Sequence, residues 1–232
     1  FVPVLADTRE KGGLKAVREL VDRVAGVLGG TLLVLTLLTI FASPVVATIF
    51  APGFLRDPAK LALTGDLIKI TFPYLLLISL TGFAGAILNT YRRFAVPALT
   101  PVLLNLSLIA AALWLTPAFE EPAFALALGV LIAGFAQLLF QVPALAGIDL
   151  VPRPRWAPEH DGVKRILVLM VPALFGVSVS QINLLLDTVL ASLLPTGSVS
   201  WLYYSDRLTE LPLGVFAIAI ATVILPTLSG QR

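Results

Sequence analysis

Six stretches of this chain are almost wholly apolar and long enough to cross a lipid bilayer: residues 27–50, 67–88, 98–116, 123–146, 166–192 and 200–228. A hydrocarbon core ~30 Å thick needs ~20 apolar residues in a helix rising ~1.5 Å each. Inside lipid every backbone N–H and C=O must find a partner within the protein, so only helices or a closed barrel can span. The stretches are continuous and do not alternate like barrel strands, so helix is the expected state. The expected fold class is therefore an all-α polytopic membrane protein with six transmembrane helices.

Composition agrees. The chain is 58% hydrophobic and 13% charged, with a mean hydropathy of +0.96. Soluble domains carry about 25% charged residues, so a water-soluble enzyme and intrinsic disorder are both excluded. There is no cysteine and one histidine, His160. Disulfides, thiolate metal sites and multi-histidine metal sites are excluded with them. Phe1-Val-Pro-Val-Leu-Ala6 has no charged region before it and no cleavage site, so it does not read as a signal peptide. It is expected to be the tail of a helix that begins upstream, and the chain to be a fragment.

Residues 7–23 carry nine charged side chains, with Leu14, Val17 and Val21 on one face. This predicts an amphipathic helix, either juxtamembrane or lying in the membrane interface; the thin apolar face favours the former. The connections are short and rich in turn residues, as in Ala51-Pro-Gly-Phe54 and Leu194-Pro-Thr-Gly-Ser198. The longest, 147–161, contains Pro152, Pro154 and Pro158 and is expected to form a stiff extended strap. The expected organisation is 1–26, the end of a helix and an amphipathic segment; 27–146, four spanning helices; 147–163, a cytoplasmic linker; and 164–232, two further spans. With the N-terminal segment as side one, side one holds twelve Lys and Arg residues and side two holds Arg56 and Lys60. The positive-inside rule then places side one, with both ends of the chain, in the cytoplasm.

Small residues such as Gly82, Gly85 and Ala86 are expected to allow close helix packing. Asn105 and Gln137 are expected to bond between helices, and Lys69 to snorkel to the headgroups. The last two spans are different. Gly176, Ser180, Asn183, Asp187 and Ala191 fall on one line at ~100° per residue. Tyr203, Tyr204, Asp206, Arg207 and Glu210 crowd the start of the sixth span, ahead of Pro212. A charge at mid-bilayer costs ~2.5–3.5 kcal/mol even on the lenient scale, so these residues need a partner or a watery cavity. Two readings stand. Asp187 and Arg207 form an ion pair across the hairpin, or the hairpin is a cavity wall in which Arg207 offers a planar fork to phosphate and Asp187 offers oxygens to a cation. The number of polar groups exceeds what one ion pair requires. Asp206 with Glu210 reads as charge balance around Arg207. No catalytic constellation, phosphate-cradling glycine loop or HExxH spacing is present, so no catalytic role is expected. The basic loops need no nucleic-acid partner to explain them.

Particular runs carry a resemblance. Thr71-Phe-Pro-Tyr-Leu-Leu-Leu-Ile-Ser-Leu80, Gly85-Ala-Ile-Leu-Asn-Thr90, Leu103-Leu-Asn105, Gly176-Val-Ser-Val-Ser-Gln181 and Gly197-Ser-Val-Ser-Trp-Leu-Tyr-Tyr-Ser-Asp-Arg-Leu208 resemble the bacterial lipid II flippases (MurJ, also called MviN). That family lies in the multidrug/oligosaccharidyl-lipid/polysaccharide exporter superfamily. The resemblance covers essentially the whole chain and matches its spans to the family's third to eighth helices. It implies two lobes of helices around a central cavity, and alternating access that carries undecaprenyl-diphosphate-linked peptidoglycan precursor between leaflets of the inner membrane. It also implies that Arg207 engages the diphosphate, with Tyr203, Glu210, Ser180 and Asn183 around it. Asp187 then belongs to a coupling-cation site for Na+. No other cofactor is expected, and lipid II, the bilayer and cell-wall synthesis proteins are the expected partners. The alternatives are an exporter of another polyprenyl-linked glycan and a non-transporting scaffold for cell-wall enzymes. The family's other helices, with its N-terminal cavity arginines, lie outside this chain.

Overall fold

The computed structural model describes residues 1–212, without the side chains of Ser180 and Leu211. Eight α-helices account for most of them: α1 (Val2–Phe41), α2 (Ser43–Phe50), α3 (Pro58–Thr71), α4 (Pro73–Thr90), α5 (Ala95–Ala110), α6 (Pro122–Ala146), α7 (Asp161–Ser192) and α8 (Ser198–Pro212). No strand occurs among the described residues. Five helical segments are long and apolar enough to span a membrane: Val2–Phe41, Pro58–Thr90, Ala95–Ala118, Pro122–Ala146 and Asp161–Ser192. The sixth expected stretch is described only as far as Pro212, as α8; residues 213–228 of it lie outside the described residues.

Proline starts many of these helices. It stands in the first turn of α1, α2, α3, α4 and α6, where its missing N–H costs nothing. The same residue divides two expected spans. The first breaks at Ala42 before Pro44, so 27–50 is the end of α1 followed by α2. The second begins earlier than expected, at Pro58, and changes helix at Phe72–Pro73. Lys69 therefore lies within the longer segment, and its amine pairs with Asp66 at 2.8 Å. Within α5, Pro101 cannot donate to the Pro97 carbonyl, and the Thr100 hydroxyl donates to it instead at 2.8 Å.

The amphipathic segment is not separate from the first span. α1 runs through both and breaks once, at Gly13, where φ is +64°. Glycine populates that region without a Cβ penalty. The buried face is Val17, Leu20 and Val21, joined by Val4 and Leu5 from before the break; Leu14 is exposed. These residues pack with Ile87, Leu88, Leu145, Leu150, Val163 and Ile166 into a core that gathers α1, α4, α6, the strap and the start of α7. Protein, not the membrane interface, covers this apolar face.

The strap docks along a stripe of α1 that the sequence reading missed. Asp22 is a buried charged side chain, 6% exposed. Its carboxylate accepts the Arg153 N–H at 2.7 Å and its carbonyl accepts the Arg155 N–H at 2.9 Å. One turn on, a Cβ at Gly26 would lie 2.2 Å from the Arg155 carbonyl oxygen. A further turn on, a Cβ at Gly30 would lie 2.6 Å from the Trp156 ring. The i, i+4, i+8 spacing places all three on one face, and only glycine leaves room for the strap.

Buried amides hold α4, α5 and α6 together. Gln137 accepts from Tyr74 at 3.2 Å and donates to the Thr100 carbonyl at 2.8 Å, as an interhelical residue should. Gln141, one turn on, donates to the Thr81 carbonyl at 3.1 Å. Asn105, the other expected partner, is exposed and forms no hydrogen bond among the described residues. Gly85 packs closely as expected, a Cβ there lying 3.4 Å from Pro97 of α5 and 3.6 Å from the Gln141 amide oxygen of α6. A Cβ at Gly82 would meet nothing within 4 Å, whereas one at Gly129 would lie 2.6 Å from Ala111 Cβ. At that crossing Ser107 donates to the Gly129 carbonyl at 2.7 Å. There α5 widens into a π-turn, Ala111–Leu115.

Candidate functional site: the polar helical hairpin

α7 and α8 form the hairpin expected from the turn between them. Gly197 has φ +105°. The Ser198 N–H and hydroxyl both donate to the Pro195 carbonyl, at 3.1 and 2.8 Å. A Cβ on Gly197 would stand 3.1 Å from the Trp201 ring, so the turn and the first turn of α8 close on each other.

α7 is anchored at its ends. At the basic end His160 caps it, its Nδ1 accepting the Gly162 N–H at 3.2 Å. Gly162 fits because a Cβ there would lie 2.6 Å from Leu20. Arg165 reaches Asp7 at 2.7 Å, and Lys11 reaches the other oxygen of the same carboxylate at 2.6 Å. Asp7 lies in the charged part of α1, ahead of the apolar stretch. Hydrogen bonds from Lys11 and then Arg165 hold its carboxyl below the ordinary value of 3.8. At the other end Ala191 and Ser192 are buried, while the side chains from Leu167 to Ile182 described along α7 are exposed.

The structure places the expected site residues as follows. Asn183 and Asp187 are exposed on α7. Ala191, last in the expected line, is buried, and Gly176 has open space around it. Ser180 lies on α7, its side chain outside the described residues. Of the α7 residues that pack on the other helices, Val163, Ile166 and Ser192 lie roughly 60–140° round the helix from the centre of the polar line at ~100° per residue, and Ala191 is the line's last member. The polar line therefore meets the contact only at Ala191.

On α8, Arg207 is 61% exposed and its Nη1 donates to Glu210 Oε2 at 2.7 Å. The guanidinium stands over the Tyr203 ring, 5.2 Å from its centroid, a cation–π distance. Tyr203 and Tyr204 meet edge to face at 5.7 Å. Three of the expected residues, Tyr203, Arg207 and Glu210, thus form one cluster. Asp187 is not part of it: no ion pair joins Asp187 to Arg207 among the described residues. The carboxylate that balances Arg207 is Glu210, one turn along the same helix; Asp206 forms no ion pair with it. A guanidinium held on one edge keeps its remaining donors for a second anion, carboxylate or phosphate.

Two apolar cavities, of about 590 and 420 Å³, lie beside α1 and α4, away from this cluster. Among the described residues no three His, Cys, Asp or Glu side chains converge as metal ligands.

The sequence pattern of the family described as "Lipid II flippase MurJ" matches residues 1–232. The "Probable lipid II flippase MurJ" of Haemophilus influenzae is 50% identical over 239 residues, covering 100% of this chain and 47% of that protein. The protein of the same description from Vibrio cholerae is also 50% identical, with 100% and 46% covered. The "Lipid II flippase MurJ" of Burkholderia cenocepacia is 42% identical, with 99% and 45% covered. The chain thus spans about half the length of the curated relatives it matches. A solved structure described as "Lipid II flippase MurJ, inward closed conformation" superposes with a TM-score of 0.75 at 26% identity, covering 100% of this chain and 50% of that one. A membrane-length helical bundle, a charged hairpin and a match along every residue agree with one another: the chain belongs to the lipid II flippase MurJ family.

Proposed function

We propose that the full-length protein carries undecaprenyl-diphosphate-linked peptidoglycan precursor, lipid II, from the cytoplasmic to the outer leaflet of the bacterial cytoplasmic membrane by alternating access. A diphosphate headgroup cannot enter hydrocarbon unaided, so it needs a hydrated, cationic path while its lipid tail stays in the bilayer. The observation that carries this reading is the α8 cluster: Arg207 is exposed, steadied by Glu210 and Tyr203, and not locked against Asp187. In this reading Arg207 binds the diphosphate, Glu210 and Tyr203 fix the guanidinium plane, and Asn183 and Ser180 on α7 contribute polar wall. The basic loops of side one face the cytoplasm, as their charge bias requires.

Asp187 is the chain's candidate contribution to a coupling cation. One carboxylate does not make such a site, since hard cations gather several oxygens. The described residues do not gather them.

Arg207→Ala in the full-length protein is expected to abolish growth support in a flippase-depleted strain while protein abundance stays normal. Arg207→Lys should restore growth only in part, because a point charge replaces a planar fork. Full growth with Arg207→Ala at native expression would overturn the reading.

A further inference from the structure

At the end away from the basic loops, α7 touches the N-terminal helices at a small, closely fitted contact. Gly53 lies in the 3-10 turn Pro52–Arg56 between α2 and α3. Its N–H donates to Ser192 Oγ at 3.2 Å, and the same hydroxyl donates to the Val189 carbonyl at 2.6 Å. The hydroxyl is therefore aimed, with its proton on α7 and a lone pair toward Gly53. A Cβ on Gly53 would fall 1.8 Å from the Ser192 carbonyl oxygen, 2.4 Å from its carbon and 2.8 Å from the Leu193 nitrogen. All three are backbone atoms, which cannot swing aside as a side chain could. Ala51, Ala191 and Ser192 are buried around the contact. Below it α7 stands clear of the bundle until Ile166 and Val163 return to the core.

We propose that Gly53 and Ser192 form a latch that closes this end of the molecule, and that Gly53 is a positioning residue setting how near α7 may approach. The proposal rests on the alternating-access reading. One hydrogen bond and a few small side chains make a contact that can break and reform. A large apolar interface at the same place would not. Asp187 lies five residues before Ser192, ~8 Å along the helix, so opening the latch moves the polar line of α7 with it. Any side chain at residue 53 holds the two backbones apart and favours the opened arrangement.

The test uses the full-length protein in lipid vesicles, otherwise free of cysteine, with spin labels at Leu55→Cys and Leu194→Cys, two exposed positions flanking the contact. Electron–electron distance measurement needs no substrate. Gly53→Ala is expected to lengthen the mean separation and raise the ratio of long to short distances about tenfold, as overpacking against backbone does. Ser192→Ala, which removes the hydrogen bond and keeps the close approach, should move the ratio less. An unchanged distribution for Gly53→Ala would overturn the latch. If Gly53→Ala does not accumulate as folded protein, the same cysteine pair bridged by a short reducible thiol cross-linker decides the matter. The bridge should stop growth support until it is reduced, and undiminished growth with the bridge intact overturns the proposal. A shifted distribution together with full growth of Arg207→Ala would leave the latch standing and remove the lipid II reading.

Discussion

Arg207 shows what a single helical turn settles. Glu210 follows it by three positions, so the two meet on one face of α8. Asp206 is its neighbour in sequence but points ~100° away round the helix. The proposed pairing of Arg207 with Asp187 needed a tertiary contact between two helices, and that is the part which the structure does not contain. Asp7 works in the opposite direction: a residue unremarkable in sequence becomes the point where Arg165 meets α1 across the molecule. Its carboxyl titrates below 3.8 in the fold. A lowered folded-state value means that the contact is fully present above the unfolded value and is lost as pH falls through the folded one. Amide exchange at residues 164–166, after correction for intrinsic rates, should therefore rise as pH falls below 3.8, and that rise should be absent in Asp7→Asn. Because the pair is exposed, its removal by Asp7→Asn should loosen the start of α7 without unfolding the chain.

At the scale of elements, the strap and α1 are one unit. The sequence shows three prolines and predicts stiffness, which describes the strap but not its seat. The seat is Asp22, Gly26 and Gly30, and each looked ordinary in isolation: a charged residue on an amphipathic helix and two small residues at the start of a span. Their meaning lies in the Arg153 and Arg155 backbone and the Trp156 ring, more than a hundred residues away. Gly26→Ala should cost ~1–3 kcal/mol, since the new Cβ meets backbone that cannot yield. Protease cleavage within 150–160 should quicken in that variant, whereas Gly82→Ala, whose Cβ meets nothing, should leave cleavage unchanged. Normal protection of the strap in Gly26→Ala would show that it is seated by other contacts.

At the scale of the whole molecule, the charge bias makes a topological prediction. A single cysteine at Arg153 should react with membrane-impermeant thiol reagents only from the cytoplasmic face, and one at Arg56 only from the opposite face. Labelling of both from one side would refute the orientation. The helices themselves were legible because apolar length is a local property. Their breaks were less so: Ala42 and Phe72 lie inside unbroken apolar runs, and only the nearby prolines, Pro44 and Pro73, hinted at them.

The sequence alone determined that this chain lives in a membrane, that it spans as helices, and that its polar residues concentrate on the last two. Each of these follows from the cost of unpaired backbone and of charge in hydrocarbon, which is reckoned residue by residue along the chain. The tertiary structure decided who meets whom. It seated the strap on a glycine stripe, covered the face of α1 with protein and brought Gly53 against Ser192. Those outcomes depend on the close approach of segments far apart in sequence, and a missing Cβ matters only once the neighbour that would strike it is in place.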